Sequence, residues 1–210
     1  SMKKTWPKWK TMINQDVGDS PSATSVLDLG DKLATIFKNT SISGRSQSIL
    51  KAGGVAWECF VAWYLNLCMV GGNTVVVKMK KNLVPEPIRD ATTVLYGSFP
   101  SNSESDLLAI TFPKRDEYRK DLENKEQTLK GMKLKLNELA EQHFGDYEVG
   151  IIQCKTNWND NAQIPMLWDM VYHANGFGVR NISVGRNNYN PDMLKKFTYS
   201  FVTVPSSNKD

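Results

Sequence analysis

Histidine is scarce in this chain of 210 residues: there are two, His143 and His173, thirty positions apart, with no cysteine or further histidine at ligand spacing. That excludes a histidine-built zinc centre. Cysteine is nearly as scarce. Cys59, Cys68 and Cys154 each lie in an apolar run, and an odd number of cysteines among hydrophobes excludes a disulfide framework and predicts reduced, buried thiols. No GxxxxGK[ST] stretch occurs, which excludes a P-loop nucleotide hydrolase. The longest apolar run, Cys59 to Val70, is too short for a bilayer and carries Asn66. The N-terminus, Ser1-Met2-Lys3-Lys4 and then polar residues, lacks the apolar centre of a signal peptide. These absences predict a soluble cytoplasmic protein with no membrane partner. An excess of one charge is missing too: 26 Lys and Arg stand against 22 Asp and Glu, and a net +4 permits a polyanionic partner without demonstrating one.

What is present is the composition of an ordinary packed domain, 40% hydrophobic and 23% charged. The chain reads as a single domain over 1–210, with a polar N-terminal arm or short first helix over 1–24 and a flexible tail over 205–210. Leu29, Leu33, Ile36 and Phe37 predict a helix from Asp28 to Phe37. The strongest helical signal runs from Ser46 to Val70, with an interruption expected at Gly53-Gly54 and a stop at Gly71-Gly72. Strands are predicted at Thr74–Lys78, Leu107–Phe112, Tyr147–Lys155, Arg180–Val184 and Phe197–Val204. Helices are predicted at Ile88–Leu95, over the charged, proline-free stretch Asp116–Phe144, and at Ile164–Tyr172, where Pro165 suits the first turn. Helices packed on a central sheet follow from this order, an α/β fold.

The chemistry gathers on two of these strands. Side chains alternate along a strand, so Gln153 and Lys155 share a face while Ile152 and Cys154 take the other. That orientation makes Cys154 a poor nucleophile beside Lys155. An ammonium at the end of an apolar strand is costly unless it meets an anion or water. Asp106 stands at the mouth of Leu107-Leu108-Ala109-Ile110, where an acid can hold a cation over the sheet end. Magnesium takes one or two carboxylates and keeps several waters. Asp106 offers a carboxylate, Gln153 a carbonyl oxygen, and Lys155 a charge that can polarise water and stabilise a phosphate transition state. Glu58 is the sole charged residue between Lys51 and Lys78, on an apolar helix with no local ion-pair partner. Singly, each has a plainer reading: Asp106 as a turn cap, Glu58 as a partner of Arg45 or Arg89, Lys155 as a strand-end surface lysine.

Together these residues resemble the PD-(D/E)XK nuclease superfamily: Asp106 before an apolar strand, an apolar strand ending Gln153-Cys154-Lys155, and an earlier helix carrying Glu58 in Gly53-Gly54-Val55-Ala56-Trp57-Glu58. Within it, the chain is most similar to type II restriction endonucleases, over roughly residues 45–185. The resemblance implies a restriction-endonuclease-like mixed sheet flanked by helices, Mg²⁺ as cofactor, double-stranded DNA as substrate and a homodimer. It implies Asp106 and Gln153 as metal-site residues, Lys155 as the catalytic lysine and Glu58 as an accessory acid and further metal ligand. Gln153 stands where the pattern usually has Asp or Glu, which lowers the site's negative charge.

Three polar segments carry side chains suited to base edges and phosphates: Arg45 with Gln47; Asn157, Asn159 and Asn161; and Arg186, Asn187 and Asn188. Each is also an ordinary turn composition. The expected activity is sequence-specific DNA cleavage. The alternatives are a repair or junction-resolving nuclease, and a catalytically silent DNA-binding module.

Overall fold

The computed structural model describes residues 2–40, 47–102, 105–118, 128–156 and 182–205. Two compact units emerge. One comprises Ser1–Val70 with Cys154–Gln163 and Phe201–Asp210, the other Gly71–Gln153 with Ile164–Ser200.

Three helices build the first unit: α1 (Met2–Val17), α2 (Ala23–Thr40) and α3 (Gln47–Cys68). Of the two readings of 1–24, arm or short first helix, the helix is found, and it continues through Pro7. Its polar sequence hides a stripe of Trp6, Trp9 and Ile13 at helical spacing. Trp9 is fully buried, stacks on Phe60 with ring centroids 4.4 Å apart, and donates from Nε1 to Thr40 Oγ1 at 2.6 Å. The helix stops where Gly18 takes φ +74, its N–H bonded back to the Asn14 carbonyl, a glycine stop that an L side chain would strain. The break expected at Gly53-Gly54 does not occur. Ala56, Trp57, Phe60 and Val61 are all buried just beyond it, and that burial offsets the roughly 1 kcal/mol that each helical glycine costs.

Tyr64 joins α3 to α2 by donating its hydroxyl to the Leu27 carbonyl at 2.9 Å. A Cβ on Gly30 would lie 2.5 Å from that hydroxyl, so the close approach requires glycine. Burial foremost, then the bond and the charge of neighbouring Cys68, push the Tyr64 phenol up from 10.0 to about 12. The fold therefore favours the neutral phenol. This contribution to stability is whole below pH 10 and is lost as pH rises through about 12. Urea unfolding of wild type and Tyr64→Phe across this window measures it. The stability gap between them is expected to close as the phenol ionises; a pH-independent gap would refute the linkage.

The second unit is built on a four-stranded sheet in the order β1 (Thr74–Lys78), β4 (Leu107–Thr111), β5 (Glu148–Lys155), β7 (Lys196–Thr203). β1, β4 and β5 pair antiparallel. β7 runs in the same direction as β5, since Lys195 N bonds the Tyr147 carbonyl at one end and Val204 N the Lys155 carbonyl at the other. The sheet is therefore mixed. A second sheet has the order β3 (Phe99–Ser101), β2 (Val94–Tyr96), β6 (Ile182–Val184). Helices α4 (Glu86–Ala91) and α5 (Leu129–Gln142) complete the unit. Leu108, Ile110 and Val149 from one sheet face pack with Ile88 and Ala91 of α4, Ala140 of α5 and Phe144. Ile151, further along that face, packs with Val94 of β2. The result is a mixed α/β architecture with a mixed sheet flanked by helices.

Several expectations are corrected. Asp116–Phe144 is not one helix: Asp116–Tyr118 forms a 3₁₀ turn, and α5 starts only after Thr128, whose Oγ1 accepts from Gly131 N as an N-cap. The helix expected at Ile88–Leu95 ends at Ala91, and Val94 starts a strand. β3 falls where no element is predicted. Its two-residue turn from β2 uses Gly97 at φ 62. Of the thiols, only Cys154 is buried; Cys59 and Cys68 are half-buried, and none of the three is in a disulfide. The helix expected at Ile164–Tyr172 and residues 206–210 of the tail lie outside the described residues, as do Arg180 and Asn181 ahead of β6. Among the described residues no helix is long and apolar enough to cross a membrane.

Candidate active site

Register decides which side chains meet. In the β4–β5 pairing Leu107 faces Ile152, and continuing it by one residue sets Asp106 opposite Gln153. On the other side of Asp106, Met79 N donates to the Asp106 carbonyl at 3.2 Å, which extends the β1–β4 ladder by one residue as well. Opposed residues of an antiparallel pair share a face, with Cβ atoms about 4.5–5.5 Å apart. Two residues forty-seven positions apart in sequence thus become neighbours on the face that carries Leu108, Ile110 and Val149. That face is apolar along most of its length and turns polar only at this end.

Asp106 is half-buried and Gln153 is buried, only 4% exposed. Gln153 Oε1 has no hydrogen-bond partner among the described residues, and neither has the buried hydroxyl of Ser105, the residue before Asp106. A buried polar atom without a partner costs about 1–3 kcal/mol. A carbonyl oxygen facing a carboxylate cannot be satisfied by that carboxylate, since both are acceptors. A donor or a cation beside Gln153 Oε1 would meet its need. The oxygens are hard donors of the kind Mg²⁺ prefers, and one carboxylate with one carbonyl suits an ion that keeps several waters. Among the described residues no three His, Cys, Asp or Glu side chains gather as a metal group, so the Asp106–Gln153 pair is the donor set on which a metal reading depends.

β5 ends in Lys155, half-buried. Alternation puts it on the Gln153 face of the strand, as the sequence indicates, and its carbonyl is held by Val204 N. Glu58 lies on α3 in the first unit, half-buried. Cys154 is buried on the opposite face from Gln153.

The candidate DNA-contacting residues have mixed placements. Arg45, Asn157, Asn159 and Asn161 lie outside the described residues, and Gln47 begins α3 with its side chain outside them. Arg186, Asn187 and Asn188 form the tight turn after β6, where Asn187 and Asn188 adopt φ 51 and 64. Gly185 before them has φ +94, and a Cβ there would run into the Tyr189 carbonyl. Arg186 donates from Nε and Nη2 to Asp90 Oδ1 at 2.9 and 2.7 Å, and Asn187 Nδ2 donates to Asp90 Oδ2 at 2.8 Å. Both side chains therefore hold the turn to α4, while Asn188 is exposed.

Sequence reasoning missed Ser105 and a cleft of about 290 Å³ lined by Met79, Lys81, Arg89, Asn102 and Arg186. The lysine cluster Lys78, Lys80 and Lys81 at the end of β1 was the available signal for it. A larger cleft of about 690 Å³ lies at the opposite end of the same sheet, by Thr111 and Glu148. Two of its cations are matched, Arg115 to Asp146 and Lys195 to Glu148, both at 2.6 Å, and Lys114 also lines it. Size alone does not make it the site, because none of its lining side chains carries a buried oxygen without a partner among the described residues. Comparison of the chain with protein-family models, with curated proteins and with solved structures gave no match.

Proposed function

We propose that the chain is a Mg²⁺-dependent endonuclease of the PD-(D/E)XK type, with a restriction-endonuclease-like fold, that hydrolyses double-stranded DNA at specific sequences. The observation that carries this reading is the buried Gln153 Oε1, without a hydrogen-bond partner among the described residues, at the point where the β4–β5 register, continued one residue past Leu107–Ile152, reaches Asp106. Asp106 and Gln153 would hold the ion, and Glu58 is the further acid assigned to it. Bound Mg²⁺ supplies Lewis-acid chemistry, lowering the pKa of a water and offsetting phosphate charge. Lys155 orients the attacking water and stabilises the extra negative charge on the phosphoryl oxygens. The water oxygen bonds to phosphorus, the bond from phosphorus to the 3′ oxygen breaks, and a proton goes to that oxygen. A 5′ phosphate and a 3′ hydroxyl remain. Cutting both strands calls for two sites, hence a homodimer, whose two-fold symmetry would select a palindromic target. Arg45, Gln47, Asn157, Asn159, Asn161 and Asn188 are the proposed base and phosphate contacts.

Purified protein incubated with plasmid DNA is expected to give discrete fragments with Mg²⁺ and none with EDTA. A smear would keep the chemistry and replace sequence specificity with a repair or junction-resolving role. The second reading, a silent DNA-binding module, draws on Gln153 standing where a second carboxylate is usual. Intact DNA that is nonetheless bound would establish it.

A further inference from the structure

We propose that the cleft formed by Lys81, Arg89, Asn102 and Arg186 is a subsite for a phosphodiester of the substrate strand, adjacent to the one that is cut. This rests on the nuclease reading of the Asp106–Gln153 pair and goes beyond it by assigning substrate contacts to residues outside that pair. The position comes from the backbone. Met79, which lines the cleft, bonds the Asp106 carbonyl through its N–H, and the Asn102 carbonyl accepts from Ser105 N at 3.3 Å. The cleft walls are thus continuous with the residues on either side of Asp106.

The chemistry comes from the lining. Among the described residues that line it, three are cationic, Met79 is apolar and none is an acid. Asn102 accepts from Thr93 Oγ1 on Oδ1 at 3.1 Å and adds its Nδ2 donor. The two guanidiniums are pre-set. Arg89, 10% exposed, bonds Glu86 Oε1 at 2.8 Å, and Arg186, 31% exposed, bonds buried Asp90 through Nε and Nη2. Asp90 is shared by both arginines, the second contact being 3.6 Å from Arg89 Nη2. Glu86 and Asp90 together balance the two guanidiniums, and exposed Lys81 gives the cleft its net positive charge. An acceptor-only anion matches that set; a neutral or cationic ligand does not. Fixed donors lose little entropy on binding, and the planar guanidinium suits phosphate oxygens.

Removing an arginine would leave Asp90 buried with less compensation, so the test uses Lys81. A labelled DNA duplex is titrated with the full chain in EDTA, where cutting is prevented, over a series of salt concentrations. Each phosphate contact contributes about 0.9 to the slope of log affinity against log salt. Lys81→Gln is expected to lower that slope by about 0.9, so that a fourfold rise in salt weakens its binding about 3.5-fold less than it weakens wild type. Lys114→Gln makes the same charge change at the far end of the sheet and is expected to leave the slope as it was. An unchanged slope in Lys81→Gln, or an equal fall in Lys114→Gln, would overturn the subsite. Mg²⁺-dependent cutting measured on the same preparations separates the two failures. Cutting with an unchanged slope removes the cleft and leaves the nuclease. A lowered slope without cutting keeps the phosphate site on a silent binding module. Absence of DNA binding removes both.

Discussion

Asp106→Ala and Lys155→Ala are each expected to abolish Mg²⁺-dependent cleavage of plasmid DNA while leaving the fold intact. Asp106 supplies the one carboxylate of the pair on which a metal depends, and its replacement leaves Gln153 Oε1 facing a methyl group. In the proposed mechanism Lys155 would offer its charge where negative charge grows in the transition state. Loss of one such group costs about 10² to 10³-fold in rate in preorganised sites. Neither change creates a large cavity, since both residues are half-buried at the sheet end. Circular dichroism and urea unfolding should therefore match wild type within about 1 kcal/mol, as for most substitutions outside a core. Initial rates over a Mg²⁺ series are the decisive measurement. Cleavage within tenfold of wild type in either variant would remove these residues from the chemistry. Loss of cleavage together with loss of folding would assign them a structural role instead.

How much of this was legible in the sequence follows from the range over which each signal acts. β1, β4 and β5 were readable because consecutive apolar, β-branched residues announce buried strands locally. The common face of Gln153 and Lys155 was readable because alternation is a property of one strand. The opposition of Asp106 to Gln153 was not, because it depends on register between strands whose connection contains the 3₁₀ turn and α5. α1 was legible only as one of two readings, because its apolar residues are few and lie among lysines, and Pro7 speaks against a helix when taken alone. The cleft escaped for a related reason. Lys81, Arg89, Asn102 and Arg186 come from four separate stretches of chain, so neither the lysines around Lys81 nor the polar run at Arg186 shows locally that they meet. Asn187 and Asn188 were legible as chemistry, since asparagine suits base edges. Asparagine also suits positive φ in a tight turn, and the structure uses it so.

Asp90 is where the largest loss of stability is expected. Nothing local marks it, since its main partners lie 96 and 97 positions further along the chain. Its side chain is 3% exposed, and it accepts from Arg186 and Asn187 with Arg89 nearby. Breaking a buried ion pair by removing one partner costs about 3–5 kcal/mol, because the remaining charge stays desolvated. Arg186→Ala should fall near the lower end, about 3 kcal/mol, since Arg186 is itself a third exposed and Arg89 remains within 3.6 Å. Replacing both members, Asp90→Asn with Arg186→Gln, removes the charges together and leaves two amides able to bond each other. That double variant should be more stable than Arg186→Ala despite carrying one more substitution, the non-additivity expected of residues in direct contact. Urea unfolding of the two variants and wild type measures the difference. A loss below about 1 kcal/mol in Arg186→Ala, the range of surface pairs, would mean that water already reaches Asp90. In that event the two arginines would not be held in place for a phosphate, and the cleft would lose the preorganisation on which its affinity depends.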